Sequence, residues 1–258
     1  MKLKVSIVQT DIVWGDAVRN LKAAQEKIES LSGDTDIVVL PEMFGTGFMT
    51  DTDRHIESMN GEIVTRMKAM AVECGVAVCG SVAIREDASG LHRNRFVFAK
   101  PDGSIHTYDK SHLFSYGGED KHYVRGNKRV VFEYGGFRIM PQICYDLRFP
   151  VWSRNRGDYD LLIYVASWPS KRVSAWDTLL KARAIENQCY VIGANRVGND
   201  PTAEYCGHST AVDFKGEVMC GLPDGTEGIM NVELDMESLL RFRDKFRVWE
   251  DADAYRFE

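Results

Sequence analysis

Apolar positions along this chain fall into short blocks that switch between two periods. Residues 4–9 alternate polar and apolar at a period of two, the pattern of a half-buried strand. After an acidic turn at Asp16, Leu21, Ala24, Ile28 and Leu31 recur at helical spacing and predict a helix over 17–31. Ser32-Gly33-Asp34 stops it. Ile37-Val38-Val39-Leu40 is wholly apolar, as a strand covered on both faces should be; Pro41 ends it and Glu42 emerges past its tip. A helix over 61–74, halted by Gly75, leads to a second apolar strand over 76–84. Residues 94–100 and 104–108 form a hairpin around Pro101-Asp102-Gly103 and deliver Lys110. A second hairpin turns at Gly135-Gly136, and its return strand, 137–144, ends at Cys144.

The rest of the chain repeats these units. An apolar strand over 160–166 precedes a helix over 174–188 and a strand over 189–195. A third hairpin spans 210–220 around Lys215-Gly216; a strand over 229–234 and a helix over 236–242 follow. Parallel-type strand–helix units interleaved with hairpins predict an α/β layered fold with a mixed sheet. No Pro/Gly/Ser-rich linker, composition shift or repeat divides the chain, so one domain is expected over 1–258.

Composition narrows the function. With 258 residues, 44% of them hydrophobic, the chain can bury a sizeable core. A net charge of −6 and a pI near 5.6 argue against a nucleic-acid partner, which needs a basic face. No segment is long and apolar enough to span a membrane, and the start lacks the unbroken apolar stretch of a signal peptide. Six cysteines without a Cys-x-x-Cys pair fit free thiols in a reducing cytoplasm. Neither a metal-ligand spacing nor a phosphate-binding glycine loop is present, so no metal or cofactor is expected.

Three residues stand at the ends of strand-like runs. These are Glu42 in Leu40-Pro41-Glu42-Met43-Phe44, Lys110 in Tyr108-Asp109-Lys110-Ser111-His112, and Cys144 in Ile143-Cys144-Tyr145-Asp146-Leu147-Arg148-Phe149-Pro150. Singly, each has an ordinary reading as a surface carboxylate, a solvated lysine or a core thiol. Brought together they would make a site for covalent acyl transfer. The thiol attacks, the carboxylate takes its proton, and the ammonium holds the oxyanion with the backbone N–H of Tyr145. Lys110 would also lower the thiol's pKa. Six histidines are present, and with His112 and His122 flanking the region a Cys–His pair stays open.

At these residues the chain resembles the nitrilase superfamily of amidohydrolases. The resemblance implies an α-β-β-α sandwich with mixed sheets and a Glu42-Lys110-Cys144 triad. It extends through Gln9 to Trp14, Cys144 to Trp152, Trp168-Pro169, Ala182 to Gln188, Asn195 to Gly198 and Trp249 to Asp253. Within the superfamily it points to the bacterial ω-amidase branch, which hydrolyses 2-oxoglutaramate and 2-oxosuccinamate without a cofactor. By the same resemblance Glu119, in Gly117-Gly118-Glu119-Asp120, matches a second glutamate that supports the lysine. Ser167 and Arg247 depart from the branch pattern, which has Asn and Pro there. A 2-oxo acid amide carries a carboxylate, for which Arg172 is the first candidate and Arg148 the second, with Trp168 as a pocket wall. Arg148 ranks lower because pairing with Asp146 would occupy it. The resemblance further implies a homodimer, and the tail from Phe246 to Glu258, rich in aromatics and acids, is a candidate to take part. The same triad serves N-carbamoyl amino acid hydrolases, deaminated glutathione amidases and nitrilases, and a non-catalytic binding member of the fold is the alternative from another class.

Overall fold

In the computed structural model, which describes residues 1–49 and 55–256, two six-stranded sheets pack face to face between pairs of helices. The first sheet is built from β1 (Lys2–Gln9), β2 (Ile37–Val39), β3 (Ala77–Arg85), β4 (His92–Ala99), β5 (Ile105–Asp109) and a late strand, Gly228–Asp235. β1, β2 and β3 run parallel at its centre, while β4, β5 and the late strand add antiparallel flanks. Helices α1 (Ala17–Glu29) and α2 (Glu62–Cys74) cover its outer face.

The second sheet follows the same plan. It contains β6 (Phe132–Tyr134), β7 (Phe137–Ile143), β8 (Leu161–Ala166), β9 (Tyr190–Asn195), then Thr210–Val212 and Val218–Cys220. β7, β8 and β9 are its parallel centre. Between β7 and β8 lies a short helix, α3 (Pro150–Ser153); α4 (Val173–Asn187) joins β8 to β9. In chain order the remaining strands are β10 (Val197–Asn199), β11 (Glu204–Cys206), β12 (Thr210–Val212), β13 (Val218–Cys220) and β14 (Gly228–Asp235), followed by α5 (Met236–Lys245). β10 and β11 form a small separate hairpin.

The strand period explains the layers. In β2, Ile37 and Val39 face the core shared with the second sheet, while Val38 faces the core under α1 and α2. Trp176 and Leu180 of α4 and Leu239 of α5 close the far side of the second sheet. The order helix, sheet, sheet, helix agrees with the expected sandwich. Boundaries moved slightly: α1 ends at Glu29 rather than 31, and β7 stops at Ile143, leaving Cys144 to open a turn. Among the described residues no helix is long and apolar enough to cross a membrane, and all six cysteines are free.

A buried ion cluster staples α5 to this sheet. Arg138 Nε and Nη2 donate to Asp160 at 2.9 and 2.8 Å, and Arg243 Nη1 donates at 2.7 Å. Burial favours the neutral acid, but the hydrogen bonds and charge of Arg138, with the charge of Arg243, outweigh it and hold the carboxyl below its ordinary value. A depressed folded pKa means that this stabilisation is present above the unfolded value and lost as pH falls through the folded one. Asp160→Asn is therefore expected to lower stability by about 3 kcal/mol at neutral pH. The gap to the parent should close below about pH 4, which urea unfolding at several pH values will measure.

Candidate active site

The carboxyl ends of strands from both sheets meet at one cavity, where ligands of open α/β sheets commonly sit. Past β2, Met43 adopts a left-handed φ of +46°, and its N–H donates to Ser81 Oγ at 3.0 Å. This bend directs Glu42 inward, where it is fully buried. Lys110 follows β5, pinned by its N–H to Asn94 O at 2.9 Å and by Gly126 N–H to its own carbonyl at 2.8 Å. Gly126 is required there, since a Cβ would lie 2.2 Å from Asp109 O. Cys144 opens the 3-10 turn Cys144–Arg148 after β7 with φ +44°, a strained conformation that costs a non-glycine residue about 1–2 kcal/mol.

These turns bring the predicted charges together. Lys110 Nζ lies 2.8 Å from Glu42 Oε1 and 3.1 and 2.9 Å from the two Glu119 oxygens. Asn94 Nδ2 bridges the same two carboxylates, at 2.8 Å to Glu42 and 3.0 Å to Glu119. Glu42 Oε2 accepts the Ser167 N–H at 2.9 Å, and Glu119 Oε2 accepts the Phe114 N–H at 2.6 Å. With every one of these acceptors occupied, the carboxylates are locked in place.

Electrostatics then assign protonation. Burial disfavours the Lys110 ammonium, but the charges of Glu119 and Glu42 outweigh it and raise its pKa. Burial first, then the charge of Glu42, raises Glu119, with Lys110 opposing. Burial and the Glu42 charge push the Cys144 thiol well above its usual range. Lys110 does pull the thiol down, as expected, but it is overridden. The resting nucleophile is a neutral thiol, so its proton must leave as it attacks.

Glu42, Lys110, Cys144 and Tyr145 line a cavity of about 1110 Å³, with Trp168, Arg148 and Arg172 on its wall. Ser167 also lines it and is buried. The expected pairing of Arg148 with Asp146 does not occur. Asp146 is taken by Tyr108, His112 and the Ile143 N–H, whereas the Arg148 guanidinium lies 4.9 Å from the Trp168 ring centre. Residues two apart in a tight turn point in different directions. Arg172 sits 5.2 Å from the Phe114 ring centre, and among the described residues neither arginine has a carboxylate partner. The Cys–His alternative fails on position: neither His112, whose ring stacks on Phe149 and meets Trp152 edge-on, nor the exposed His122 lines the cavity that holds Cys144.

The sequence reading missed Asn94, the Ser167 N–H and the Asp146 network. Asn94 left one trace, a polar residue at a buried position of an alternating strand.

The chain matches the carbon–nitrogen hydrolase family over residues 4–244. It is 43% identical over 255 residues to omega-amidase YafV of Escherichia coli K12, covering 98% of each chain. It is 35% identical over 257 residues to the 2-oxoglutaramate amidase of Bacillus subtilis 168, covering 97% of this chain and 98% of that one. A solved CN-hydrolase superfamily protein from Xanthomonas campestris, bearing an arsenic adduct in its active site, superimposes with a TM-score of 0.96 at 38% identity, each chain covered completely. With the family matched across nearly the whole length and the relatives this similar, the chain belongs to the carbon–nitrogen hydrolase family.

Proposed function

We propose that this protein is an ω-amidase that converts 2-oxoglutaramate and 2-oxosuccinamate to the dicarboxylic acids and ammonia through a thioester on Cys144. The observation that carries this is the convergence of Glu42, Lys110 and Cys144 at a cavity whose wall holds two arginines with no carboxylate partner among the described residues. The similarity to an omega-amidase and a 2-oxoglutaramate amidase supports the same substrate class.

In the first half-reaction Glu42 accepts the thiol proton as sulfur bonds to the amide carbon. The carbonyl oxygen becomes an oxyanion, held by Lys110 Nζ and the Tyr145 N–H. Glu42 returns the proton to nitrogen, the C–N bond breaks, and ammonia leaves the thioester behind. Water, deprotonated by Glu42, then attacks the acyl carbon and releases the acid and the thiol. Glu119 and Asn94 keep Lys110 charged and aimed. The whole chain acts as one catalytic unit, because both sheets contribute to the site.

Substrate choice follows from the wall. Arg148 and Arg172 recognise the carboxylate remote from the amide, and Trp168 flanks the carbon chain. Freed from Asp146, Arg148 ranks level with Arg172. Replacing either arginine by Met is expected to raise KM for 2-oxoglutaramate by about tenfold or more, the loss of a charge-assisted hydrogen bond, while leaving a neutral amide unaffected. Equal changes for both substrates would remove the arginine from this role.

The protein works in the cytoplasm, where unpaired cysteines persist, and as a homodimer in which the tail from Phe246 takes part; its last two residues, 257 and 258, lie outside the described ones. Exposed Phe246 and Trp249 are consistent with such a contact. The test of the activity is ammonia release from 2-oxoglutaramate, a neutral amide, an N-carbamoyl amino acid and a nitrile. Turnover of the first with no carbon dioxide from the third is expected; preference for the carbamoyl compound or nitrile would reassign the branch.

A further inference from the structure

We infer that Asp146 is a positioning residue that ties the nucleophile turn to the lysine loop, and that Tyr108 and His112 are the clamps through which it does so. Asp146 is fully buried, two residues beyond Cys144. Its Oδ2 accepts the Ile143 N–H at 3.0 Å and the Tyr108 hydroxyl at 2.8 Å. Its Oδ1 accepts the His112 backbone N–H at 2.9 Å and the His112 ring Nδ1 at 2.8 Å, which fixes Nδ1 as the protonated nitrogen. One carboxylate thus grips the residue before Cys144 and the residues two positions to either side of Lys110.

The clamps are held in turn. Tyr108 Oη accepts the Ser111 N–H at 3.2 Å and Trp152 Nε1 at 3.0 Å, so its only proton is committed to Asp146. The His112 ring stacks on Phe149 with centroids 3.9 Å apart and meets Trp152 edge-on at 5.7 Å. Phe149 itself follows the nucleophile turn, so the stacking joins the same two segments a second time. Cys144 sits in a strained backbone conformation that persists only if its surroundings over-determine it. Lys110 holds its distance to Glu42 and Glu119 by its own loop. The network therefore sets where sulfur lies relative to the ammonium and to Glu42. None of its side chains lines the cavity, so it acts through other residues.

No amide can replace this carboxylate. Each Asp146 oxygen faces two donors, and an Asn side chain would turn its NH₂ toward one of those pairs, whichever way it is flipped. Asp146→Asn should lower kcat by about 100-fold, as a misplacement on the ångström scale does, with KM little changed. Loss of folding alone could mimic this, so the decisive pair is at His112. His112→Phe keeps the stacking on Phe149 but removes the donor; His112→Asn removes the ring but places an amide N–H where Nδ1 stood.

This inference rests on the proposed acyl-transfer site, so the readout includes one that needs no substrate: the rate of Cys144 alkylation by iodoacetamide in the folded full-length protein. For His112→Phe, both alkylation and kcat should fall about tenfold, the equivalent of one charge-assisted hydrogen bond. His112→Asn should recover most of that loss although it lacks the ring. Unchanged alkylation in folded His112→Phe, or no advantage of His112→Asn over it, would overturn the positioning role. A parent protein inactive on 2-oxoglutaramate but with this same alkylation order would sink the substrate assignment and leave the positioning role standing.

Discussion

Cys144→Ala is expected to reduce ammonia release from 2-oxoglutaramate by at least about 10⁴-fold in kcat, because no other group can carry the acyl chain. Glu42 and Lys110 alone could at most activate water for direct attack. That path would have to expel ammonia in one step from a site arranged around sulfur. The remaining contacts of the turn, including Asp146 with the Ile143 N–H, do not involve the thiol. Stability should accordingly stay within about 1 kcal/mol of the parent, since alanine keeps Cβ and shares the same strain at φ +44°. Steady-state kinetics and thermal unfolding on one preparation separate the two effects. Substantial residual turnover would transfer the nucleophile's role elsewhere.

Lys110→Met carries the second large effect, and here activity and stability move together. Among the described residues the ammonium is the only cation contacting Glu42 and Glu119, and the side chains of all three groups are inaccessible to solvent. Its removal withdraws an oxyanion donor, which alone costs about 10²–10³ in kcat. It also leaves Glu42 and Glu119 buried beside each other with only Asn94 between them. Breaking a buried ion pair in this way destabilises by about 3–5 kcal/mol. The double variant Lys110→Met/Glu119→Gln should regain stability, because one of the unpaired charges is gone, yet remain inactive. Chemical denaturation of both variants checks this. If the double variant is no more stable than the single one, the unpaired carboxylate charges are not what destabilises Lys110→Met.

Much of the site was legible because its members end strands. A carboxylate after Pro41, a lysine after a hairpin and a cysteine after an apolar run are each commonplace, but strand ends in an α/β protein converge on one side. The strand ends made their meeting possible, and the resemblance to the nitrilase superfamily implied it. The layers were legible for a similar reason: Ile37, Val38 and Val39 read as buried on both faces, and the two cores they enter lie on opposite sides of β2.

The supporting groups were not legible, and the cause is sequence distance. Ser167 meets Glu42 across 125 positions and Asn94 meets it across 52, through a backbone N–H and a side-chain amide that no spacing rule connects. Arg148 was misjudged because proximity in sequence to Asp146 stood in for proximity in space. The 3-10 turn sends the two side chains apart, and Asp146 finds its partners in the lysine loop instead. The β10–β11 hairpin escaped notice because Val197-Gly198-Asn199 and Glu204-Tyr205-Cys206 carry neither an apolar run nor a sustained alternation. Lys110 also proved insufficient to acidify the thiol. The sequence supplies both partners but not the burial that decides the balance between them.

The most direct measurement is a rapid acid quench of the protein during turnover of 2-oxoglutaramate, followed by intact mass and peptide mapping. A thioester mechanism predicts a gain equal to the substrate minus ammonia, confined to the peptide containing Cys144 and accompanied by one ammonia per acylated site. An acyl group on any other residue, or turnover that leaves Cys144 unmodified at every quench time, would contradict it.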